Sequence, residues 1–236
     1  MLASLEKVVP TLEDATGILR LLARSATGQE FSTYTTFSTG PRRPGDPDGP
    51  GEFHVVLLDN GRTAMLGTEF QDMLRCIRCS ACLNHCPVYQ SVGGHAYGWV
   101  YPGPMGSVLT PSLIGVAEAG NLPNASTFCG KCESVCPMRI PLPKMMRHWR
   151  EREYEQGLSP APFRAGLKLW AFFAKRPKLY RFGANLAAGL LGRLSRGTGR
   201  FTKLPLAQGW TGGRDLPAPE GKSFMQQWQA RQRKAA

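Results

Sequence analysis

Four cysteines fall within eleven residues and a proline follows at once: Cys76-Ile77-Arg78-Cys79-Ser80-Ala81-Cys82-Leu83-Asn84-His85-Cys86-Pro87. This C-x2-C-x2-C-x3-C-P spacing constrains the fold more than any other feature of the chain. Two-residue gaps let one tight loop aim three thiolates at the corners of a small inorganic cluster. The proline then turns the chain away, so that the fourth thiolate faces elsewhere. It is the spacing of bacterial ferredoxins, in which the fourth cysteine ligates the other cluster of a pair. Zinc sites use separated C-x2-C knuckles instead, so the run reads as iron–sulfur.

A second, incomplete copy lies downstream: Ser126-Thr127-Phe128-Cys129-Gly130-Lys131-Cys132-Glu133-Ser134-Val135-Cys136-Pro137. Ser126 stands where the first cysteine would be. Under a crossed scheme, Cys76, Cys79 and Cys82 join Cys136 on one 4Fe-4S cluster, and Cys86 joins Cys129 and Cys132 on a second. All seven cysteines are used and one ligand is lacking. Three arrangements are open for the second centre: a 3Fe-4S cluster, a 4Fe-4S cluster whose last iron takes Ser126, His85, His95 or solvent, or a 4Fe-4S cluster completed by a partner subunit. For Ser126, His85 and His95 the plainer reading, a loop or hydrogen-bonding residue, carries more weight.

An odd number of cysteines confined to residues 76–136 argues against a secreted disulfide framework. Met1 is followed by no basic start and no apolar run of signal-peptide length, and the apolar stretch from Phe182 to Gly192 is too short to span a bilayer. The expected location is the reducing cytoplasm. Charge is divided unevenly: residues 1–137 carry 9 basic and 12 acidic residues, and residues 138–236 carry 20 and 5. The basic half reads first as a solvated surface, and second as a face for an acidic partner or a membrane surface. No P-loop, no GxGxxG after a strand and no hydrolytic motif is present, so electron transfer is the chemistry that remains.

Around the cysteines the pattern is helical. Thr11-Leu12-Glu13-Asp14 resembles a capping box opening a helix over 11–26. Residues 30–37 are rich in β-formers and read as a strand. Phe53 to Leu58 reads as a buried strand ending in the Asn60-Gly61 hairpin signal. Residues 93–106 are dense in glycine, proline and aromatics, suited equally to a structural loop and to a loop lying against a cluster. Helices are expected at 143–156, 161–175, 178–195 and 224–234, with an irregular stretch from Gly197 to Gly221. Apolar residues line one face of the second and third (Phe163, Leu167, Trp170; Leu179, Phe182, Leu186), which reads first as core packing and second as a membrane or partner-binding face. The fold class is α+β: a mainly helical two-cluster ferredoxin core at 67–157, an α/β remnant at 1–66 and a basic helical region at 158–236. The first segment alone would be marginal in size.

The runs CIRCSACLNHCPVYQSVGGHAYGWVYPGPMGSVLTP and FCGKCESVCPMRIPLP closely resemble the lactate utilization protein B family, the iron–sulfur subunit of bacterial L-lactate oxidation. KVVPTLEDA, GPRRPGDPDGP, EFHVVLLDNGR and GWTGGRDLPAPEGKSF are similar to it as well, so the resemblance covers nearly the whole chain. It implies an alpha-helical ferredoxin fold, two 4Fe-4S clusters on the cysteines assigned above, a cytoplasmic location, and two companion subunits with which L-lactate is oxidised to pyruvate. The absent eighth cysteine resembles a family trait. Members of the family are about twice as long and open with an α/β domain, so the expectation is a split gene, a misplaced start or a fragment. Two other readings stand beside this one: an iron–sulfur subunit serving another 2-hydroxy acid or glycerol phosphate, and a structural zinc or assembly module. No nucleic-acid partner is expected.

Overall fold

Helix α1 (Leu12–Thr27) begins where its capping residues dictate: the Thr11 hydroxyl accepts the Asp14 N–H at 3.1 Å, and Gly28, at φ 75°, ends it in the left-handed region. The computed structural model describes residues 1–195, 198–205 and 207–235. Within it, Met1–Ser159 and Pro160–Ala236 form two separate units.

In the first unit, strand β1 (Leu2–Ser4) pairs in parallel with β2 (Val56–Leu58), Leu2 opposite Val56 and Ser4 opposite Leu58. Three sequence expectations fail here. Residues 30–37 form no strand, β2 is exposed rather than buried, and its partner precedes it in the chain instead of following a hairpin. Asn60 and Gly61 do take positive φ, at 45° and 81°. The turn leads into a 3-10 turn at Arg62–Met65 because Asp59 caps it, its carboxylate accepting the Thr63 N–H at 2.7 Å and the Gly61 N–H at 3.2 Å. β-Propensity at 30–37 had no neighbouring edge on which to act.

The core of this unit lies between α4 (Gly103–Ile114) and α6 (Leu142–Glu155). Met105, Val108 and Leu109 of α4 meet Leu142, Met145, Met146 and Trp149 of α6, with Phe70 and Met73 closing one end. Phe70 stacks on Trp149 with ring centroids 4.1 Å apart, and the indole N–H donates to the Val108 carbonyl at 3.1 Å. Helix α4 occupies part of the stretch that composition marked as a loop. It tolerates Pro104 in its first turn and is buried almost all round, so it shows no amphipathic period. Gly106 is obligatory, because a Cβ there would lie 1.5 Å from the Tyr101 carbonyl oxygen.

The second unit contains α7 (Ala161–Ala174), α8 (Pro177–Leu194), the two-residue strands β3 (Arg200–Phe201) and β4 (Leu216–Pro217) paired antiparallel, the single turn α9 (Gln208–Thr211), and α10 (Phe224–Ala235). The four predicted helices thus appear within a residue or so of their expected bounds. Core packing of the α7 and α8 aromatics is not what forms: neither helix holds a buried residue. Gly197, where the irregular stretch was expected to start, lies outside the described residues.

Candidate metal centre

The two cysteine runs fold as copies of one backbone motif. Arg78 and Phe128, each just before the second cysteine of its run, have φ of 59° and 54°; Ser80 and Gly130, each just after, have φ of 65° and 79°. Each pair then opens a one-turn helix, α2 (Ala81–Asn84) and α5 (Lys131–Ser134), which carries the next cysteine. Left-handed residues beside helical ones turn consecutive N–H groups toward one point, a concavity suited to anionic sulfur. Backbone N–H groups do reach the thiols, Arg78 to Cys76 Sγ at 3.4 Å and Ile140 to Cys136 Sγ at 3.5 Å.

Cys76, Cys79, Cys82 and Cys136 line one cavity, with about 410 Å³ of free space counted out to its mouth and with Met73, Ile77, Met105, Ile140 and Leu142 in its walls. Among the described residues, no three His, Cys, Asp or Glu side chains converge closely enough to hold a single metal ion. Four thiolates on one zinc would lie within about 3.8 Å of one another, given a Zn–S length of about 2.3 Å. A ring of thiols around a cavity fits a multi-iron cluster instead.

The runs are crossed in space. Cys136 of the second lies in electrostatic range of Cys76 of the first, and Cys132 of the second lies in range of Cys86 of the first and of its own Cys129. Cys82 stands between the groups, sensing Cys76, Cys79 and Cys132. Burial dominates their acidity: it pushes the Cys82 thiol up to about 12 and Cys132 up to about 11, and raises Cys76, with neighbouring sulfurs adding to each. Exposed Cys129 differs, its thiol lowered first by the Lys131 N–H and then by the Thr127 hydroxyl. One group is therefore enclosed, and the other reaches the surface at Cys129.

The candidates for the eighth ligand are otherwise engaged or elsewhere. The Ser126 hydroxyl accepts the Phe128 N–H at 3.1 Å, and His85 Nδ1 lies 3.0 Å from the Ala81 carbonyl. His95 lines a separate open cavity with Tyr89 and Trp99, in which no cysteine takes part.

Residues that sequence reasoning did not single out complete the site. Lys7 donates to the Cys76 carbonyl, and burial lowers its pKa while the Cys76 sulfur works against that shift. Beside it Glu6 is 6% exposed and bridges Arg62 at 2.9 Å and Arg78 at 2.8 Å; Arg78 also lies over the Tyr101 ring. Tyr97 is buried, its hydroxyl has no hydrogen-bond partner, and its nearest charged influence is Cys86; burial first, then that sulfur, push it up to about 12. Nothing in spacing announces Glu6 or Lys7, which lie some seventy residues before the loop they brace.

Comparison with known families places three of them along the chain. Residues 1–58 match the LUD domain, residues 72–140 the 4Fe-4S dicluster domain, and residues 155–233 lactate utilisation protein B, C-terminal. The dicluster match spans all seven cysteines, so the chain carries an iron–sulfur cluster-binding domain. Lactate utilization protein B of Geobacillus kaustophilus (strain HTA426) is 44% identical over 231 residues, 97% of this chain and 48% of the relative. That of Shouchella clausii (strain KSM-K16) is 44% identical over 238 residues, 98% of this chain and 49% of the relative. An uncharacterized electron transport protein of Escherichia coli (strain K12) is 40% identical over 220 residues, 93% of this chain and 46% of the relative. The chain spans about half the length of the curated relatives it matches. No solved structure matches.

Proposed function

Because the chain belongs to the lactate utilization protein B family, along the half of the relatives' length that it spans, we propose that it carries electrons between two iron–sulfur clusters in a cytoplasmic assembly that oxidises L-lactate to pyruvate. The observation that carries this reading is the crossing of the two cysteine runs around an apolar-walled cavity, in a chain similar to lactate utilization proteins along its length. Cys76, Cys79, Cys82 and Cys136 would hold the first cluster, and Cys86, Cys129 and Cys132 the second. Bound there, the clusters would accept the two electrons released by a 2-hydroxy acid one at a time, the protons remaining at the substrate site in a companion subunit. The chain's own residues supply the setting: Met73, Met105 and Ile140 exclude water from the first site, Lys7 and Arg78 set positive charge beside an anionic centre, and exposed Cys129 brings the second to where a partner can approach.

Anaerobic reconstitution tests the reading. Brown protein with about eight irons per chain, or about seven with a 3Fe-4S second centre, is expected, and Cys79→Ala should remove one paramagnetic signal and leave the other. Colourless protein with stoichiometric zinc would overturn it. Addition of L-lactate should reduce the clusters only when the companion subunits are present. Reduction by glycolate or glycerol phosphate in its place would move the substrate assignment.

A further inference from the structure

Helices α7 and α8 pose a problem of stability. Helices of 14 and 18 residues ordinarily persist by burying an apolar stripe, yet neither buries a single side chain. On α7, Phe163, Leu167 and Trp170 recur at helical spacing along one line, with Phe163 59% and Trp170 62% exposed; on α8, Leu179, Phe182, Leu186 and Leu190 form a second line, with Phe182 67% exposed. The surrounding charge is of one sign. No Asp or Glu occurs between Gln156 and Arg214, whereas Arg164, Lys168, Lys175, Arg176, Lys178, Arg181 and Arg193 lie on or between these helices. The Arg176 guanidinium lies 3.8 Å over the Phe172 ring, pairing a cation with an aromatic. Aromatic and leucine lines bordered only by Lys and Arg are the composition of a helix that lies in the plane of a bilayer surface, and no described helix is long and apolar enough to cross one.

We propose that α7 and α8 form a peripheral membrane-docking surface whose occupant is an anionic lipid headgroup layer. Phe163, Trp170 and Phe182 enter the acyl boundary while the cations meet lipid phosphates. An acid-free stretch of this length favours phospholipid over a protein surface, on which carboxylates and cations are ordinarily interspersed. The inference does not depend on the redox reading. It would place the electron-carrying chain at the membrane without insertion.

The test is sedimentation of the full reconstituted chain with phosphatidylglycerol-rich vesicles and with pure phosphatidylcholine vesicles. Binding to the anionic vesicles about tenfold stronger at low salt is expected, falling as ionic strength shortens the screening length. Trp170→Ser combined with Phe182→Ser, both at exposed positions, should lower that binding about tenfold while iron content and helical circular dichroism stay at wild-type values. Lys175→Glu with Lys178→Glu should abolish the preference for anionic lipid. Equal binding to both vesicle types, no binding to either, or binding unchanged in the double serine variant overturns the proposal. Iron content, measured on the same samples, reports separately on the cluster assignment.

Discussion

At the scale of single residues, the brace beneath the first cysteine loop is an ion network. Burial opposes ionisation of Glu6, but a backbone hydrogen bond and the Arg78 and Arg62 guanidinium groups overcome it and hold the carboxyl below its usual range. Removing one partner of a buried pair strands the other charge, so Glu6→Ala should cost about 3 kcal/mol by chemical denaturation. The sign with pH follows. A carboxyl whose folded pKa is depressed contributes its full stability above the unfolded value of 4.5 and loses it as pH falls through the lower folded value. Wild-type stability should therefore fall between about pH 4.5 and lower pH by more than that of Glu6→Ala, and parallel curves for the two proteins would show that the network contributes nothing. Tyr97 gives the opposite case. Its buried hydroxyl has no partner, so in cluster-free protein Tyr97→Phe should leave the melting temperature unchanged or raise it, since a desolvated group is removed and no hydrogen bond is lost.

At the scale of elements, the difference between α1 and α4 shows what sequence can reveal. The bounds of α1 follow from local chemistry, the Thr11 cap and Gly28, and so were legible. Helix α4 carries no such signs: it is buried on all sides, holds Pro111 near its end and owes its first turns to the close approach of Gly106 to Tyr101. Tertiary packing made that helix, and no window of sequence contains the packing. β2 fails in the same way, because its partner β1 lies over fifty residues upstream. The grouping of the cysteines was legible because ligand spacing is local. The Glu6 and Lys7 brace was not, because it depends on a contact across 69 residues or more. Gly106→Ala should cost at least about 3 kcal/mol, at the upper end of overpacking penalties, as the Cβ must displace a backbone oxygen. A thermal melt of the variant measures it, and a melt within error of wild type would show that Tyr101 yields freely.

At the scale of the whole molecule, the chain separates its chemistry from its charge. Met1–Ser159 contains all seven cysteines and the α4–α6 core, and Pro160–Ala236 contains 15 Lys and Arg against 2 Asp and Glu. The first unit closes its own apolar core around the cysteines: Cys132 is a buried member, and Cys76, Cys82 and Cys136 pack against it. Its cluster sites draw every cysteine from within that unit, so a chain ending at Ser159 should take up the same iron per molecule as the full chain and show the same paramagnetic signals. Vesicle affinity should not survive that truncation, because the lines of Phe163, Trp170 and Phe182 and most of the basic excess leave with the second unit. Iron analysis and vesicle sedimentation on the truncated chain read the two outcomes separately. Loss of iron binding would mean that the basic unit is needed to fold or close the cluster sites, and retained vesicle binding would shift the docking surface to the first unit. The expected result, full iron and no lipid affinity, would leave electron carriage and membrane attachment as separable properties of one chain.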